Sequence, residues 1–245
     1  ALEEANIKFD CEGGTYSGSI VACLYACGFS ADEMYKIFKK YCKKIKYVDI
    51  KNIFELIFGL IFTGKIIIKG LNSGKQIERL INKVCNEKGI YQISDIKMPL
   101  AIPSVDLCNG DVICFTSQKF RNNMSDNTIF TSDIEIGKAV RASCSYPVVF
   151  SPCPYKNIKL VDGGIRENVP WKELKFLGAD KVVNIVFEDE GNEVCNKNLV
   201  EVAGRSIGLL CRELSNYELD GSDFTIKITS KKVGLLDMKK IDKLY

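Results

Sequence analysis

Apolar and polar residues follow two patterns along this chain. Short apolar runs, typical of strands buried in a sheet, lie at 99–107, 111–116, 158–161 and 181–187. Elsewhere, apolar residues recur three or four positions apart and predict helices packed by one face, at 30–44, 73–86 and 199–218. The alternation of strands and helices predicts a three-layer α/β/α fold with a largely parallel central sheet, as one domain over residues 1–245.

Four shorter patterns add detail to this picture. Residues 1–6 predict the last turns of a helix. Asn109-Gly110, between two apolar runs, predicts a β-hairpin. The polar residues 119–131 predict a surface loop, and residues 238–245 predict the start of a further helix.

The most apolar part of the chain is the segment 50–68. No apolar run within it reaches the about 18 residues that a membrane span needs. One interpretation is a buried core segment. The other is a flap that faces lipid or lines an acyl pocket, with the flanking lysines suited to an anionic bilayer surface.

A glycine-bracketed turn lies between a short strand pattern at 7–11 and an apolar helix pattern at 17–27. Gly14 and Gly18 have the spacing of the Gly-x-Ser-x-Gly nucleophile elbow, which holds a side chain out above a sheet at the positive end of a helix. The central position holds Tyr16, and the serine comes one residue later, at Ser17.

Composition excludes several classes of chemistry. The chain has no histidine, so Ser-His-Asp and Cys-His catalysis and imidazole metal sites are excluded. Its eleven cysteines contain no Cys-x-x-Cys pair and predict free thiols in a reducing, cytoplasmic compartment. Neither a Rossmann fingerprint nor a P-loop occurs, and a net charge of +3 is too small to indicate nucleic-acid binding. We therefore expect no cofactor, no metal and no nucleic-acid partner.

Asp162 is a second candidate for chemistry. It follows an apolar strand and precedes Gly163 and Gly164, and ligands in open α/β sheets bind at the carboxyl ends of strands. A plain turn is the alternative interpretation. The small residues of 139–147 are best interpreted as close packing of a helix near this position.

In order and spacing, the segments 1–7, 14–30, 139–152 and 160–170 resemble the patatin-like phospholipase family. The resemblance implies an α/β/α fold and an acyl hydrolase with a Ser-Asp dyad, in agreement with the lack of histidine. It implies that Asp162 is the dyad aspartate and that the nucleophile position, between Gly14 and Gly18, holds Tyr16. It also leads us to expect the family's Gly-rich oxyanion loop and its strand ahead of Ala1.

Three explanations for Tyr16 stay open. Ser17 acts as the nucleophile in a reshaped turn, the protein is a non-catalytic relative that binds lipid or membrane, or Tyr16 and the unusual Glu12 are altered residues in an otherwise typical chain. Tyrosine itself is a poor nucleophile because its pKa of about 10 leaves little phenolate at neutral pH. The leading hypothesis is a lipid acyl hydrolase with Ser17 and Asp162 as catalytic residues, in peripheral contact with membrane.

Overall fold

The computed structural model describes residues 2–41, 48–65, 67–119, 124–125, 127–188 and 199–229. The strands are β1 (Glu12–Gly13), β2 (Leu100–Asp106), β3 (Val112–Thr116), β4 (Met124–Ser125), β5 (Thr128–Thr131), β6 (Cys153–Tyr155), β7 (Ile158–Asp162), β8 (Val183–Glu188) and β9 (Phe224–Thr229). The helices are α1 (Ser17–Ala26), α2 (Ala31–Tyr41), α3 (Ile50–Phe58), α4 (Lys75–Asn86), α5 (Ile136–Ser143), α6 (Trp171–Phe176) and α7 (Leu199–Leu219). The predicted helix at 238–245 lies outside the described residues.

Helices cover both faces of a central sheet, which confirms the predicted α/β fold. The strand order is β4-β5-β3-β2-β7-β6, with β1 also paired to β2. One face carries the main core, where Leu100, Ile102 and Phe115 are buried together with apolar residues of α1, α4 and α5. The other face is smaller, and its buried residues pack with Leu174 and Leu177 of α6 and its end.

The strand pairings are mixed. The predicted parallel arrangement holds for β1 with β2, β3 with β5 and β8 with β9. The other described pairings are antiparallel: β2 with β3, β2 with β7, β4 with β5, and β6 with β7. Three of these four are hairpins, including the one predicted at Asn109-Gly110, because their connections are too short for a crossover.

Three predicted segments differ from the structure. The strand predicted at 7–11 is instead Glu12–Gly13, because those residues are the ones that pair with Leu100 and Ala101. The predicted loop at 119–131 contains β5, whose residues extend the sheet beside β3. Residues 2–6, expected to end a helix, form turns.

The sheet brings two distant parts of the chain together along one edge of β2. β3 occupies one edge of β2, pairing with residues 101–105. On the other edge, β1 pairs with Leu100 and Ala101, and β7 pairs with residues 104–106. β1 is parallel to β2 and β7 is antiparallel, so their carboxyl ends point toward each other. The glycine-bracketed turn and Asp162 therefore meet at this position.

Candidate active site

The turn after β1 has the conformation of a nucleophile elbow. Tyr16 has φ 53° and ψ −123°, a backbone conformation that residues with a side chain rarely adopt, and α1 begins at the next residue. Gly14 is required here because a Cβ at this position would lie 2.3 Å from the carbonyl oxygen of Gly18. The vertex of this turn, its strained residue, is Tyr16, and Ser17 follows it as the first, exposed residue of α1.

Contacts to α5 and the following turn hold the vertex in place. The backbone N–H of Tyr16 donates to Ser143 Oγ at 3.3 Å. Its carbonyl oxygen accepts from Ser19 Oγ at 2.6 Å and from Cys144 Sγ at 3.0 Å. Its ring lies 5.8 Å from the ring of Tyr146. These contacts explain the small residues at 139–147, which were correctly interpreted as packing.

Asp162 is buried at the end of β7 with one oxygen unsatisfied. Its side chain is 2% exposed, and Oδ1 accepts the backbone N–H of Gly164 at 2.7 Å. Oδ2 has no hydrogen-bond partner within the described residues, so neither Tyr16 nor Ser17 donates to it there. Burial raises the pKa of Asp162 to about 7, although the hydrogen bond from the Gly164 N–H lowers this pKa.

Gly163 allows the end of β7 to contact the elbow. A Cβ on Gly163 would lie 2.3 Å from the carbonyl oxygen of Pro103 and 3.0 Å from Cγ2 of Thr15. Thr15 in turn donates through Oγ1 to the carbonyl oxygen of Glu167 at 2.8 Å. A Cβ on Gly164 would lie 2.7 Å from Asn168 Oδ1, so both glycines keep the Asp162 turn close to its neighbours.

Helix α7 lies over the Asp162 turn. Ser215 Oγ accepts from the side chain of Asn168, and the Glu218 carboxylate accepts the backbone N–H of Val169 at 2.9 Å. The Tyr146 hydroxyl donates to the carbonyl oxygen of Gly204 at 2.7 Å. The pKa of the Cys211 thiol is raised to about 11, mainly by burial and to a smaller extent by the negative charge of Asp162. No local pattern in residues 199–219 indicated this placement, since it depends on long-range packing.

Glu12, unusual in a strand, is half-buried in β1. We expect Glu12→Gln to raise the free energy of unfolding at pH 8 and to change it little at pH 4. Burial raises the pKa of Glu12 from 4.5 to about 7, so the folded state holds this proton more tightly than the unfolded state. Protonated Glu12 therefore does not lower the free energy of unfolding below about pH 4.5. As the pH rises toward 7, ionisation of Glu12 lowers the free energy of unfolding by up to about 3 kcal/mol.

Urea unfolding at pH 4, 5.5 and 8 measures this difference between variant and parent. Asp10→Asn, at an exposed carboxyl two residues away, is the control for removing a negative charge beside β1. Parallel stability curves for Glu12→Gln and the parent would contradict the prediction.

Comparison with known proteins agrees with this geometry. A family model described as patatin-like phospholipase matches residues 1–175. The chain belongs to the patatin-like phospholipase family. This match covers the elbow, the Asp162 turn and the sheet between them.

Several curated proteins are similar to this chain. The uncharacterized protein YqhO of Bacillus subtilis is 29% identical over 174 residues, which are 69% of this chain and 58% of YqhO. Lysophospholipase NTE1 of Lodderomyces elongisporus is 28% identical over 186 residues, 74% of this chain and 11% of that protein. The probable lipid hydrolase 463L of Invertebrate iridescent virus 6 is 23% identical over 164 residues, 64% of this chain and 50% of that protein.

The matched part thus spans less than two thirds of each of these relatives. Among solved structures, VipD from Legionella pneumophila matches with a TM-score of 0.45 and 13% identity, over 98% of this chain and 60% of VipD.

Across the residues that the structure describes, no helix combines the length and apolar character needed to cross a bilayer.

Proposed function

We propose that this chain is a lipid acyl hydrolase that cleaves carboxylic ester bonds, with Asp162 as its general base. The observation that carries the proposal is the buried Asp162 carboxyl, whose Oδ2 has no partner in the described structure and which lies beside a nucleophile elbow. The names of two relatives, a lysophospholipase and a probable lipid hydrolase, support lipid esters as the substrate class.

In the proposed reaction, Ser17, the residue directly after the elbow vertex, attacks the acyl carbonyl and transfers its proton to ionised Asp162 once the turn has changed shape. The positive end of α1 favours the negative charge that develops on the carbonyl oxygen. Protonated Asp162 gives its proton to the alcohol oxygen of the ester, and the alcohol leaves as the acyl-enzyme forms. Asp162 then accepts a proton from the water that attacks the acyl-enzyme, and a proton returns to the serine oxygen as the carboxylic acid leaves. A base with a pKa near 7 is well matched to proton transfer at neutral pH.

One observation favours a second candidate function, lipid binding without turnover. Tyr16 occupies the elbow vertex, and Ser17 is exposed on the first turn of α1, about 100° around the helix axis from its predecessor. Ser17 reaches Asp162 only if the turn changes shape. If the turn keeps the observed shape, the chain would keep the site for the acyl ester and lack the nucleophile.

Labelling with a fluorophosphonate, followed by peptide mapping by mass spectrometry, separates the two functions. Hydrolysis predicts an adduct on Ser17 that Asp162→Asn removes, together with ester turnover that rises with pH up to about 7, because Asp162 must be ionised to accept the proton. Asp106→Asn, at another buried aspartate, is the matched control and should keep the label. Absence of any adduct would favour binding without turnover.

We further propose that α3 and the turn after it form a lipid-facing surface, which we define as the large apolar residues of 50–62. Seven of them are 42% to 70% exposed: Ile50, Ile53, Phe54, Ile57, Phe58, Ile61 and Phe62. Monomeric proteins rarely expose so many neighbouring apolar side chains unless they contact another molecule or a membrane. Of the two interpretations of this segment, the exposure supports the flap over the buried core.

The polar residues of this segment attach it to the rest of the protein. Asn52 Nδ2 donates to the carbonyl oxygen of Gly70 at 2.8 Å, and the Asp49 carboxylate accepts the backbone N–H of Ser73 at 2.9 Å. The helix therefore uses polar contacts inward and directs its phenylalanines outward. Exposed Lys65 and Lys69 give the same region positive charge, which suits an anionic bilayer surface, while Lys51 lies 3.4 Å from Glu55 Oε1.

A further inference from the structure

Three cysteines that are far apart in sequence converge in the core beneath the elbow helix. Cys23 lies in α1, Cys27 at its C-terminal end and Cys85 in α4. Their sulfur atoms all lie within 4.8 Å of one another, and Cys27 Sγ is 3.7 Å from Cys85 Sγ. Their exposures are 0%, 6% and 0%. Of the residues that the structure describes, these are the ones whose potential metal-ligand atoms converge in a group of three or more.

We propose that Cys23, Cys27 and Cys85 form a binding site for a soft, thiophilic metal ion, with three-coordinate Cu(I) as the ion that fits best. Thiolates are the ligands that select Cu(I) and Zn²⁺ over hard cations. Metal–sulfur bonds of about 2.3 Å place three sulfur atoms about 4 Å apart in a trigonal site. The observed separations require only small side-chain movements to reach that geometry.

The number of ligands favours Cu(I) over Zn²⁺. Protein Zn²⁺ sites are almost always four-coordinate. The three thiols belong to the apolar main core, and among the described residues no fourth Cys, Asp or Glu ligand atom joins their group. An ion that is satisfied by three sulfur ligands matches this site better.

One positive charge lies next to the cluster. Lys88 Nζ donates to the carbonyl oxygen of Gly28 at 2.7 Å, directly after Cys27, and lies 3.5 Å from Glu33 Oε2. Binding of Cu(I) would form three Cu–S bonds and release three thiol protons to solvent, without change of oxidation state. The Lys88 ammonium, shared with Glu33, would offset part of the remaining negative charge.

The site would connect the elbow helix to the rest of the core. Cys23 belongs to α1, which begins directly after the vertex, Cys27 caps the C-terminal end of α1, and Cys85 belongs to α4. A bound ion would therefore hold α1 against α4 through bonds that thiol packing alone does not supply. This inference concerns the core and holds whether or not the chain hydrolyses esters.

The test is a competition titration of the full chain with Cu(I), kept anaerobic and reduced, against a chromophoric Cu(I) chelator. We expect one equivalent to be retained, with near-ultraviolet charge-transfer absorption and an X-ray absorption shell of three sulfur atoms at about 2.3 Å. We also expect the bound ion to raise the Tm. The same titration with Zn²⁺ should show weaker retention.

Cys85→Ser and Cys27→Ser should each lower Cu(I) affinity at least about tenfold and abolish the Tm increase. Cys114→Ser and Cys153→Ser are matched controls, since both alter buried thiols outside the cluster and should keep Cu(I) binding. Circular dichroism identifies any variant that fails to fold, and the other cluster variant then decides. The proposal is overturned if the parent retains no Cu(I), if all four variants bind it equally, or if the site binds Zn²⁺ with four ligands in preference.

Discussion

Tyr16→Ser is expected to increase ester hydrolysis at least about 10²-fold over the parent chain. The substitution places a hydroxyl at the elbow vertex, the one position where the strained backbone holds a side chain out beside the end of β7. Asp162, whose Oδ2 has no donor in the described structure, would then have a proton donor to activate. General base catalysis by a positioned side chain typically contributes about 10²- to 10⁴-fold. Hydrolysis of a chromogenic short-chain ester at pH 8 measures the gain.

Two further variants show whether the gain comes from the dyad. Tyr16→Ala removes the same ring without adding a nucleophile, so it controls for easier substrate access. Tyr16→Ser combined with Asp162→Asn should return activity to the level of Tyr16→Ala. Equal activity of Tyr16→Ser and Tyr16→Ala would mean that the vertex is not the nucleophile position in this chain. The same conclusion would follow if Ser17→Ala abolished the activity of the parent while Tyr16→Ser added none.

Features with local signals could be predicted from the sequence. Ser30 and Glu33 have the spacing of a capping box at the start of the predicted helix 30–44, and each side chain accepts the backbone N–H of the other residue. Asn109-Gly110 is the predicted hairpin. The elbow was found because glycines at 14 and 18 bracket a strand-to-helix turn, and the backbone of residue 16 has the strained conformation that this motif requires. In each case, a few neighbouring residues determine the conformation.

Features that depend on pairing between distant segments could not be predicted in the same way. β1 begins later than its sequence pattern indicated because its partner, Leu100–Ala101, sets its position. The position of α7 over Asp162 rests on contacts such as Tyr146 with Gly204, which are 58 residues apart. Cys85 contacts Cys27 across the same separation of 58 residues. Cysteine spacing predicted unconnected thiols because it contains no information about α4 packing on α1.

Binding to anionic vesicles should fall at least about 10²-fold when Phe54 and Phe62 are both changed to aspartate. The two rings are 68% and 70% exposed on the lipid-facing surface, so their loss should cost the folded protein little. Burying a phenylalanine side chain in an apolar environment contributes about 1.5–3 kcal/mol, and two such contributions correspond to a factor of about 10² or more. Sedimentation with vesicles of phosphatidylcholine and phosphatidylserine measures the partition coefficient.

The control must change equally exposed apolar residues outside this surface. Leu107→Asp with Phe187→Asp meets that condition, since these side chains are 56% and 73% exposed in the β2–β3 hairpin and in β8. It introduces the same two negative charges and should lower binding far less. Higher salt should weaken the parent's binding through the lysines, and the remaining salt-resistant part should be the part that Phe54 and Phe62 supply. Equal losses in the two double variants would mean that charge alone drives binding, and the apolar face of α3 would then need a different partner.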